Sequence, residues 1–395
     1  MLKRCFYREL PAVCGGAARW IAPPEAPADR AGCFLCRCRV AVARPETFRL
    51  HLAADSVYRL WIDGEFAAEG AELGDDRIRY VDSFAWCAAP GIHTLVAAVP
   101  FFGSKGAWAR MDAAPGFFCA AEGEGAEALA TGAANWQVAD APMFRWQPPF
   151  GWATPAGEEL IFDASLLPEG LWRGADDAAC WRPAAELPGT GYHLQEATLP
   201  DRFRKPVENF RVLYAGIHRD KQFHAADNEA TFAAEAERKL RTNEALRFPP
   251  YAEKKLLIAL EDYSCIQPEL TVSGGRGATV SLGWVEGLFR NDAEVGEKAD
   301  RREWRDRYFI GICDHFLPDG REDMAFFTFS WRAGRYLSLE VKTGDEPLTI
   351  ESLRLPEHRY PLTVEAEFHC ADRRFERLAR RCRRTLEMCS HDTFM

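Results

Sequence analysis

The sequence predicts a mainly β protein made of two antiparallel β-sandwich domains followed by one C-terminal amphipathic α-helix. Short segments with alternating apolar and polar residues recur along most of the 395 residues and are separated by glycine-rich turns. The pair Asp63-Gly64 lies between two such segments and indicates a β-hairpin. The one long helical pattern lies near the end of the sequence. This order is typical of consecutive sandwiches and not of alternating strands and helices.

The composition bounds the class of protein. With 47% hydrophobic and 27% charged residues, the sequence is typical of a globular chain, and its length suggests two or three domains. A net charge of −10 and a pI near 5.5 argue against a nucleic-acid or anionic-membrane partner. The sequence has no run of eighteen apolar residues, so we expect no membrane span.

The thirteen cysteines are odd in number and follow no framework spacing, and residues 1–9 become charged before a secretory signal could form. A reducing cytoplasm is therefore the expected location. Cys33, Cys36 and Cys38 form one cluster, but a zinc site would need a fourth ligand, and the nearest histidine, His51, falls within an alternating strand. We interpret the cluster as buried thiols on a strand and predict no metal site.

The first sandwich is predicted over residues 1–200. After a proline- and alanine-rich loop at 20–32, alternating segments follow at 41–43, 48–52, 57–62, 77–81 and 93–100. An Ala-, Gly- and Glu-rich connection at 120–135 precedes a further extended piece, Leu160-Ile161-Phe162-Asp163-Ala164. The composition changes near Pro200, where we place the domain boundary.

The second sandwich is predicted over residues 201–368. It begins at 210–214 and is interrupted at 227–246 by an Ala- and Glu-rich segment that is either helical or disordered. Further strands are predicted at 255–260, 269–272, 279–282, 308–312, 325–329, 336–341 and 348–353. Residues 273–277 are glycine-rich, but no Lys-Ser/Thr follows and the next segment is a strand, so we interpret them as a hairpin turn and not a phosphate loop.

The C-terminal helix is predicted over Arg373–Cys389. Asp372 can cap its first turn, and five arginines lie largely off its apolar stripe as a solvated face. The stripe consists of Phe375, Leu378, Ala379, Cys382, Leu386 and Cys389. The sequence offers no partner helices for this stripe. We therefore expect the segment to fold back onto the second sandwich or to form a homodimer through this helix.

Several short patterns, taken in their order, resemble the bacterial inverting α-L-rhamnosidase family of glycoside hydrolases. They are Tyr58-Arg59-Leu60-Trp61-Ile62-Asp63-Gly64-Glu65, Asn135-Trp136-Gln137-Val138, Gly157-Glu158-Glu159 with Phe162-Asp163-Ala164, Cys180-Trp181-Arg182-Pro183-Ala184, Glu261-Asp262, Gly274-Gly275-Arg276-Gly277-Ala278, Gly283-Trp284-Val285-Glu286-Gly287-Leu288, residues 326–337, residues 368–372 and Asp392-Thr393-Phe394-Met395. The resemblance covers nearly the whole sequence.

The resemblance implies a galactose-binding-like jelly roll over 1–200, a second β-sandwich over 201–368, and the first helix of an (α/α)6 catalytic barrel over 369–395. The implied parent reaction is hydrolysis of terminal α-L-rhamnose from glycosides with inversion. In the family, the block that resembles residues 392–395 leads into the stretch that supplies the general acid, and the rest of the barrel supplies the general base. We therefore expect the sequence to be truncated before the active site and to contain no catalytic residue.

The acidic residues support this expectation. Inverting hydrolysis needs one protonated and one ionised carboxyl group on opposite sides of the glycosidic bond. Glu261 and Asp262 are adjacent in an extended segment and point to opposite faces, while Glu286 and Asp314 fall at strand ends. Asp392 is the remaining acidic candidate. For nucleophilic catalysis, the sequence lacks a Gly-x-Ser-x-Gly elbow.

Sugar binding remains open as a function. Aromatic faces and carboxylates are typical of sugar sites, and we predict a site at Trp61, Asp63, Glu65 and Asp82 near the first hairpin. Trp86 and Trp108 have the same chemistry. A rhamnose-containing glycoside is the expected partner. No cofactor is expected, although a structural calcium could be held by Asp75, Asp76 and Asp82.

Three hypotheses follow. The first is the non-catalytic N-terminal portion of an α-L-rhamnosidase. The second is a stand-alone carbohydrate-binding or interaction protein. The third is a set of ancillary domains that precedes a different catalytic barrel, as in β-galactosidase-type enzymes.

Overall fold

The computed structural model describes residues 2–25, 31–107, 110–149, 156–188, 192–293 and 296–392. It confirms a mainly β fold with antiparallel sheets and a C-terminal helix. The chain forms two compact units. The first comprises Met1–Trp146 and Leu166–Leu199, and the second comprises Gln147–Ser165 and Pro200–Met395. A stretch from within the range expected for the first domain therefore contributes to the second unit.

The first fifteen strands extend to residue 196. They are β1 (Lys3–Cys5), β2 (Ile21–Ala22), β3 (Gly32–Val42), β4 (Glu46–Ala54), β5 (Tyr58–Ile62), β6 (Glu65–Gly70), β7 (Ile78–Ala88), β8 (Gly91–Phe101), β9 (Phe117–Glu122), β10 (Gln137–Asp140), β11 (Phe144–Gln147), β12 (Glu159–Asp163), β13 (Arg182–Pro183), β14 (Ala185–Glu186) and β15 (His193–Glu196).

The remaining strands and the two α-helices follow. They are β16 (Phe203–Pro206), β17 (Phe210–Ile217), α1 (Ala230–Thr242), β18 (Leu246–Phe248), β19 (Glu253–Ile266), β20 (Glu269–Gly274), β21 (Thr279–Val285), β22 (Ile312–Leu317), β23 (Met324–Phe327), β24 (Arg332–Lys342), β25 (Leu348–Arg354), β26 (Pro356–Arg359) and α2 (Arg373–Cys389).

The first unit is built from two sheets. One has the order β1-β7-β4-β9-β2-β14 with β15 beside β7, and the other has the order β13-β10-β3-β8-β5-β6. Alternate residues of both sheets, such as Leu50 and Trp86 from one and Phe34 and Leu95 from the other, form a single buried cluster. Burial of one face of each sheet is the reason for the period-two pattern in the sequence.

The predicted Asp63-Gly64 hairpin is present. Ile62 pairs with Glu65, and both turn residues have positive φ, 54° for Asp63 and 90° for Gly64. Two positive φ angles match the right-handed twist of the flanking strands, and Asp-Gly is among the pairs that adopt them at lowest cost. This turn sets the register of β5 and β6.

The second unit also contains two packed sheets. Its larger sheet includes the order β12-β22-β21-β24-β19-β26-β16 with β17 beside β19, and its smaller sheet has the order β18-β25-β20-β23. Phe162 and Phe316 of the larger sheet contact Phe326 of the smaller, with the Phe316 and Phe326 ring centroids 5.2 Å apart. Most strand pairs are antiparallel, but β12 runs parallel to β22 and β15 runs parallel to β7.

Two local predictions for the second unit are wrong. A strand was expected at 308–312, but the strand in this region, β22, begins only at Ile312. Phe309 and Ile310 precede it and are buried in a cluster of side chains that also contains Trp304. The glycine-rich turn is not a hairpin, because β20 and β21 belong to different sheets. Gly274, Gly275 and Gly277 have φ between 71° and 75°, and these angles turn the chain from one sheet to the other.

The Ala- and Glu-rich segment at 227–246 contains the helix α1, whose buried side is formed by Ala233, Ala236 and Leu240. All thirteen cysteines are free thiols, and Cys36 and Cys38 are buried on β3 as interpreted. Burial raises the pKa of Cys38 to about 12.

No helix in the described part of the chain is long and apolar enough to cross a membrane.

Helix α2 has the predicted bounds. The Asp372 carboxylate accepts a hydrogen bond from the Arg374 backbone N–H at 2.9 Å, as expected of an N-cap residue. Its apolar stripe is also where the sequence places it.

Candidate functional site

Trp61 is the aromatic residue of the predicted sugar site. Its side chain lies on β5, is only 6% exposed, and stacks on Trp172 with a centroid distance of 4.0 Å and an interplanar angle of 16°. Its indole also contacts the Phe66 ring at 6.0 Å edge-on. One indole face is therefore covered by another aromatic ring of the same unit. Trp86 is likewise buried against Phe48, and Trp108 lies outside the described residues.

Asp63 and Glu65 lie beside Trp61 at the tip of the hairpin. The Asp63 carboxylate accepts a hydrogen bond from the Thr94 backbone N–H at 2.8 Å and contacts His93 Nδ1 at 2.6 Å. Both contacts join the turn to β8. The Glu65 side chain is exposed. The structure thus groups Trp61, Asp63 and Glu65 in one sheet.

Asp82 lies in the other sheet of the first unit, on β7. It is buried, and its carboxylate accepts hydrogen bonds from Arg4 at 2.5 Å and from the Tyr58 hydroxyl at 3.2 Å. Asp75 accepts hydrogen bonds from the backbone N–H groups of Ile78 and Arg77, and these lower its pKa. Among the described residues, no three His, Cys, Asp or Glu side chains are grouped so as to hold a metal ion.

The acidic catalytic candidates of the sequence lie in different environments. Asp314 is fully buried and forms a two-pronged ion pair with Arg332, with Nη2–Oδ1 2.6 Å and Nε–Oδ2 2.8 Å. Glu286 pairs with Lys298 and with Arg301 at 3.1 Å. Glu261 and Asp262 are exposed. Each of these four carboxylates thus has a structural partner or faces solvent.

A cluster that the sequence did not reveal lies on the larger sheet of the second unit. Ser281 and His315 are opposite each other on β21 and β22, with Oγ 2.8 Å from Nδ1. The His315 Nε2 atom lies 3.6 Å from Glu159 Oε2, and Gln147 donates to the same carboxylate at 2.9 Å. Ser281 is only 7% exposed. A nucleophile must reach its substrate, so this geometry favours a hydrogen-bonded structural role.

A second unforeseen cluster is buried in the first unit. His51 Nδ1 lies 2.8 Å from the Ser83 hydroxyl, which donates to Glu196 Oε2 at 3.4 Å. Burial raises the pKa of Glu196 to about 7 and lowers the pKa of His51. His51 and Ser83 are 32 residues apart in the sequence, and Ser83 and Glu196 are 113 apart. Strand pairing brings them together, so no local sequence pattern could predict this cluster.

Helix α2 is attached through Arg384 and its last turn, and not through the exposed part of its apolar stripe. Arg384 forms a two-pronged contact with Glu357 of β26, with Nη2–Oε2 2.6 Å and Nη1–Oε1 3.1 Å, and donates to the Tyr263 carbonyl of β19 at 2.9 Å. Burial raises the pKa of Glu357, but hydrogen bonds from Arg384 and Arg359 outweigh it and hold that pKa below its usual range. The sequence pattern predicts a solvated position for Arg384, and this prediction is wrong, because the side chain is half-buried against Glu357.

The end of α2 is held by a buried histidine. The ring of His391 stacks on the Trp331 indole at 3.9 Å with an interplanar angle of 9°, and the His358 ring lies 5.9 Å from it. In the described residues neither nitrogen of His391 has a hydrogen-bond partner. Burial lowers the pKa of His391 to about 4, with Asp392 opposing and Arg202 adding to the shift.

The apolar stripe of α2 faces away from the second unit. Phe375, Leu378 and Leu386 are 53%, 54% and 51% exposed, and Cys382 is exposed beside them. Only Met388, near the last turn, is buried. A row of half-exposed large apolar side chains at helical spacing is typical of a surface that packs against another helix. This stripe is the strongest candidate functional surface of the second unit.

Neither the family models nor the curated proteins include a match to this chain.

Solved structures do match. A GH78 family rhamnosidase of Bacillus sp. GL1 superimposes with a TM-score of 0.70 and 15% identity over 96% of this chain and 59% of that one. The α-L-rhamnosidase from Dictyoglumus thermophilum gives a TM-score of 0.58 and 11% identity over 95% of this chain and 39% of that one. The α-L-rhamnosidase from Aspergillus terreus gives a TM-score of 0.57 and 15% identity over 96% of this chain and 41% of that one.

These neighbours confirm the resemblance inferred from the motifs at the level of the fold. At such low identity the likeness concerns the arrangement of strands and helices. The chain spans between 39% and 59% of the length of the three structures.

Proposed function

We propose that this chain is the non-catalytic N-terminal portion of an α-L-rhamnosidase. The observation that carries the proposal is the shared fold with three rhamnosidases over at least 95% of the chain and over 59% or less of each of them. The parent reaction would be inverting hydrolysis of terminal α-L-rhamnose from glycosides, with both catalytic carboxyl groups supplied by the remaining portion. The two sandwiches would then act as a scaffold.

The role of α2 in this scheme is to join the scaffold to a helical catalytic domain. Arg384 fixes the helix to the second unit, which leaves Phe375, Leu378 and Leu386 available for other helices. Burying such a side chain is worth about 1.5–3 kcal/mol. The proposed partner is therefore a set of apolar helices, as in an (α/α)6 barrel.

The experiment that tests the proposal is an assay of the purified 395-residue chain with an aryl α-L-rhamnoside. No turnover is expected, because inverting hydrolysis needs two carboxyl groups about 6.5–9.5 Å apart across the bond. Asp314 is committed to Arg332, and Glu286 to Lys298 and Arg301. Turnover that disappears in Asp262→Asn or Glu286→Gln would overturn the proposal, because it would place catalysis within these residues.

In the absence of partner helices, two copies of the chain are expected to associate through α2. The double variant Phe375→Ser, Leu378→Ser should weaken this association by about tenfold or more. Each side chain is about half exposed, so burying the rest of it is worth about 0.8–1.5 kcal/mol, and the two together exceed about 1.4 kcal/mol. Sedimentation velocity over a range of concentrations measures the effect.

The matched control for this prediction is Arg377→Ser, an exposed polar change on the same helix. It should leave the association unchanged. The melting temperature of the double variant should also stay close to that of the parent, because both apolar side chains are more than half exposed. A parent chain that is monomeric at every concentration would contradict the prediction.

The first hairpin would supply any sugar-binding role of the scaffold. There, Glu65 and Asp63 lie beside the Trp61–Trp172 stack, and the expected partner is a rhamnose-containing glycoside. The stand-alone carbohydrate-binding protein stays a prediction, as do the β-galactosidase-type alternative, the cytoplasmic location and the structural calcium.

A further inference from the structure

A cleft of about 580 Å³ lies between α1 and β17 in the second unit. This volume falls within the range of about 300–1,000 Å³ that is usual for small-molecule sites. None of the residues that line the cleft belongs to the first hairpin or to α2, and the proposed function does not use the cleft.

One face of α1 forms a wall of this cleft. Ala230, Ala233 and Ala234 line its first half, and Glu237, Arg238 and Arg241 line its second half. These positions are spaced i, i+3, i+4, i+7, i+8 and i+11, which places them on one side of a helix. Small methyl groups leave the space open at one end, and charged groups surround it at the other.

The charged end is strongly basic. Arg211 from β17 joins the two arginines of the helix, so three guanidinium groups and one carboxylate line the cleft in a chain whose net charge is −10. Glu237 accepts hydrogen bonds from Arg211 Nε at 3.1 Å and from the Val212 backbone N–H at 2.9 Å. That carboxylate is thus occupied in fastening α1 to β17.

Arg241 is the group best placed to take a ligand. It forms no hydrogen bond or ion pair with the residues that the structure describes, whereas Arg238 is engaged with Glu244 at 2.5 Å. The one contact that Arg211 makes to Glu237 uses Nε. A planar guanidinium group binds a carboxylate or a phosphate through two parallel N–H donors.

We infer that this cleft binds a sugar that carries a carboxylate, with its anionic group at Arg241 and Arg211 and an apolar face of its ring on the alanine methyls. That the ligand is a sugar rests on the proposed function, and that it carries a negative charge rests on the arginines. Inorganic phosphate is also an anion, so the experiment must distinguish binding of a sugar carboxylate from binding of phosphate.

Titration calorimetry of the whole chain at low ionic strength tests the inference. D-glucuronate is expected to bind, while D-glucose, which lacks the carboxylate, should bind at least about tenfold more weakly. Arg241→Ala should weaken glucuronate binding by a similar factor. Arg247→Ala is the matched control, because Arg247 is exposed on β18 and lies outside the cleft.

A second variant tests the wall of the cleft that α1 forms. Ala234→Leu replaces an exposed methyl group with a larger side chain at a helical position and should abolish glucuronate binding without changing the circular dichroism spectrum. Equal binding of glucose and glucuronate, or acetate and inorganic phosphate binding as tightly as glucuronate, would overturn the inference. So would an Arg241→Ala variant that binds like the parent. None of these results affects the rhamnoside assay or the association of α2, so the two proposals fail separately.

Discussion

Replacing Asp314 with alanine is expected to lower the free energy of unfolding of the second unit by about 3–5 kcal/mol, because it leaves the buried Arg332 guanidinium without its counter-charge. The side chains of the pair are 0% and 6% exposed, so water cannot take the place of the carboxylate. The carboxylate also accepts the Leu160 backbone N–H at 2.8 Å. Urea denaturation, combined with hydrogen exchange of β12 and β22, measures the effect.

The same pair explains how residues 156–163 are held in the second unit. Arg332 donates to the carbonyl groups of Ala156 at 3.1 Å and Glu158 at 2.9 Å. Loss of Asp314 should therefore increase exchange in β12 before it affects the rest of the unit.

Two control variants define this prediction. Glu297→Ala removes an ion pair with Arg290 in which both side chains are more than half exposed, and it should cost less than about 1 kcal/mol. The double replacement Asp314→Leu, Arg332→Met removes both charges and should recover part of the lost stability. The recovery is incomplete because the backbone groups of Leu160, Ala156 and Glu158 lose their partners. An Asp314→Ala variant no less stable than Glu297→Ala would contradict the argument.

Acidification from pH 6.5 to pH 4 is expected to loosen the C-terminal end of α2 by about 3 kcal/mol. Burial lowers the pKa of His391 from 6.5 to about 4, so the docked ring is neutral while the released ring takes up a proton. The stabilisation is complete above pH 6.5 and is lost as the pH falls towards 4. Burial also lowers the pKa of His358, which contributes in the same direction.

Hydrogen exchange of the last turns of α2, corrected for the intrinsic rate at each pH, measures this loosening. His391→Phe keeps an aromatic ring against Trp331 but cannot be protonated, so its exchange should depend much less on pH. The first turns of α2 serve as an internal reference, because the exposed Arg373 and Arg377 lie at the other end of the helix from His391. Equal pH dependence in the parent and in His391→Phe would refute the role of this residue.

Local physics explains why much of the fold could be predicted. A sheet with one buried face requires alternate apolar residues, and β4, β20 and β25 begin within two residues of their predicted starts. The Asp63-Gly64 turn and the Asp372 cap were predictable because Asp-Gly favours two positive φ angles and an aspartate can cap the helical turn that follows it.

The errors have a common physical origin. The apolar run at 308–312 predicts a strand, but its Phe309 and Ile310 side chains lie in a cluster with distant residues such as Tyr214 and Tyr336. Whether the turn at 273–277 joins paired strands or separate sheets depends on long-range pairing in the same way. An apolar run in the sequence predicts that its side chains are buried. Only the tertiary contacts determine whether those residues form a strand or a loop.

The candidate sites were less predictable than the fold. Residue types near the first hairpin pointed to sugar chemistry, but the chain buries Trp61 against Trp172 and places Asp82 in the other sheet. The cluster of Ser281, His315 and Glu159 is made by strand pairing over long sequence separations. The cleft at α1 could not be predicted either, because residues of the neighbouring strand β17 form part of its lining.

The sequence by itself determined the mainly β architecture, the first hairpin, and the position, cap and apolar stripe of α2, because alternation, turn chemistry and helical spacing are local properties. Only the tertiary structure decided which face of α2 is attached. Sequence periodicity favours burial of the apolar stripe, yet Arg384 binds the buried Glu357 and leaves that stripe exposed. Glu357 is already paired with Arg359 and accepts a second guanidinium group, that of Arg384. Which arginine reaches this buried carboxylate depends on its position in space and not on helical spacing.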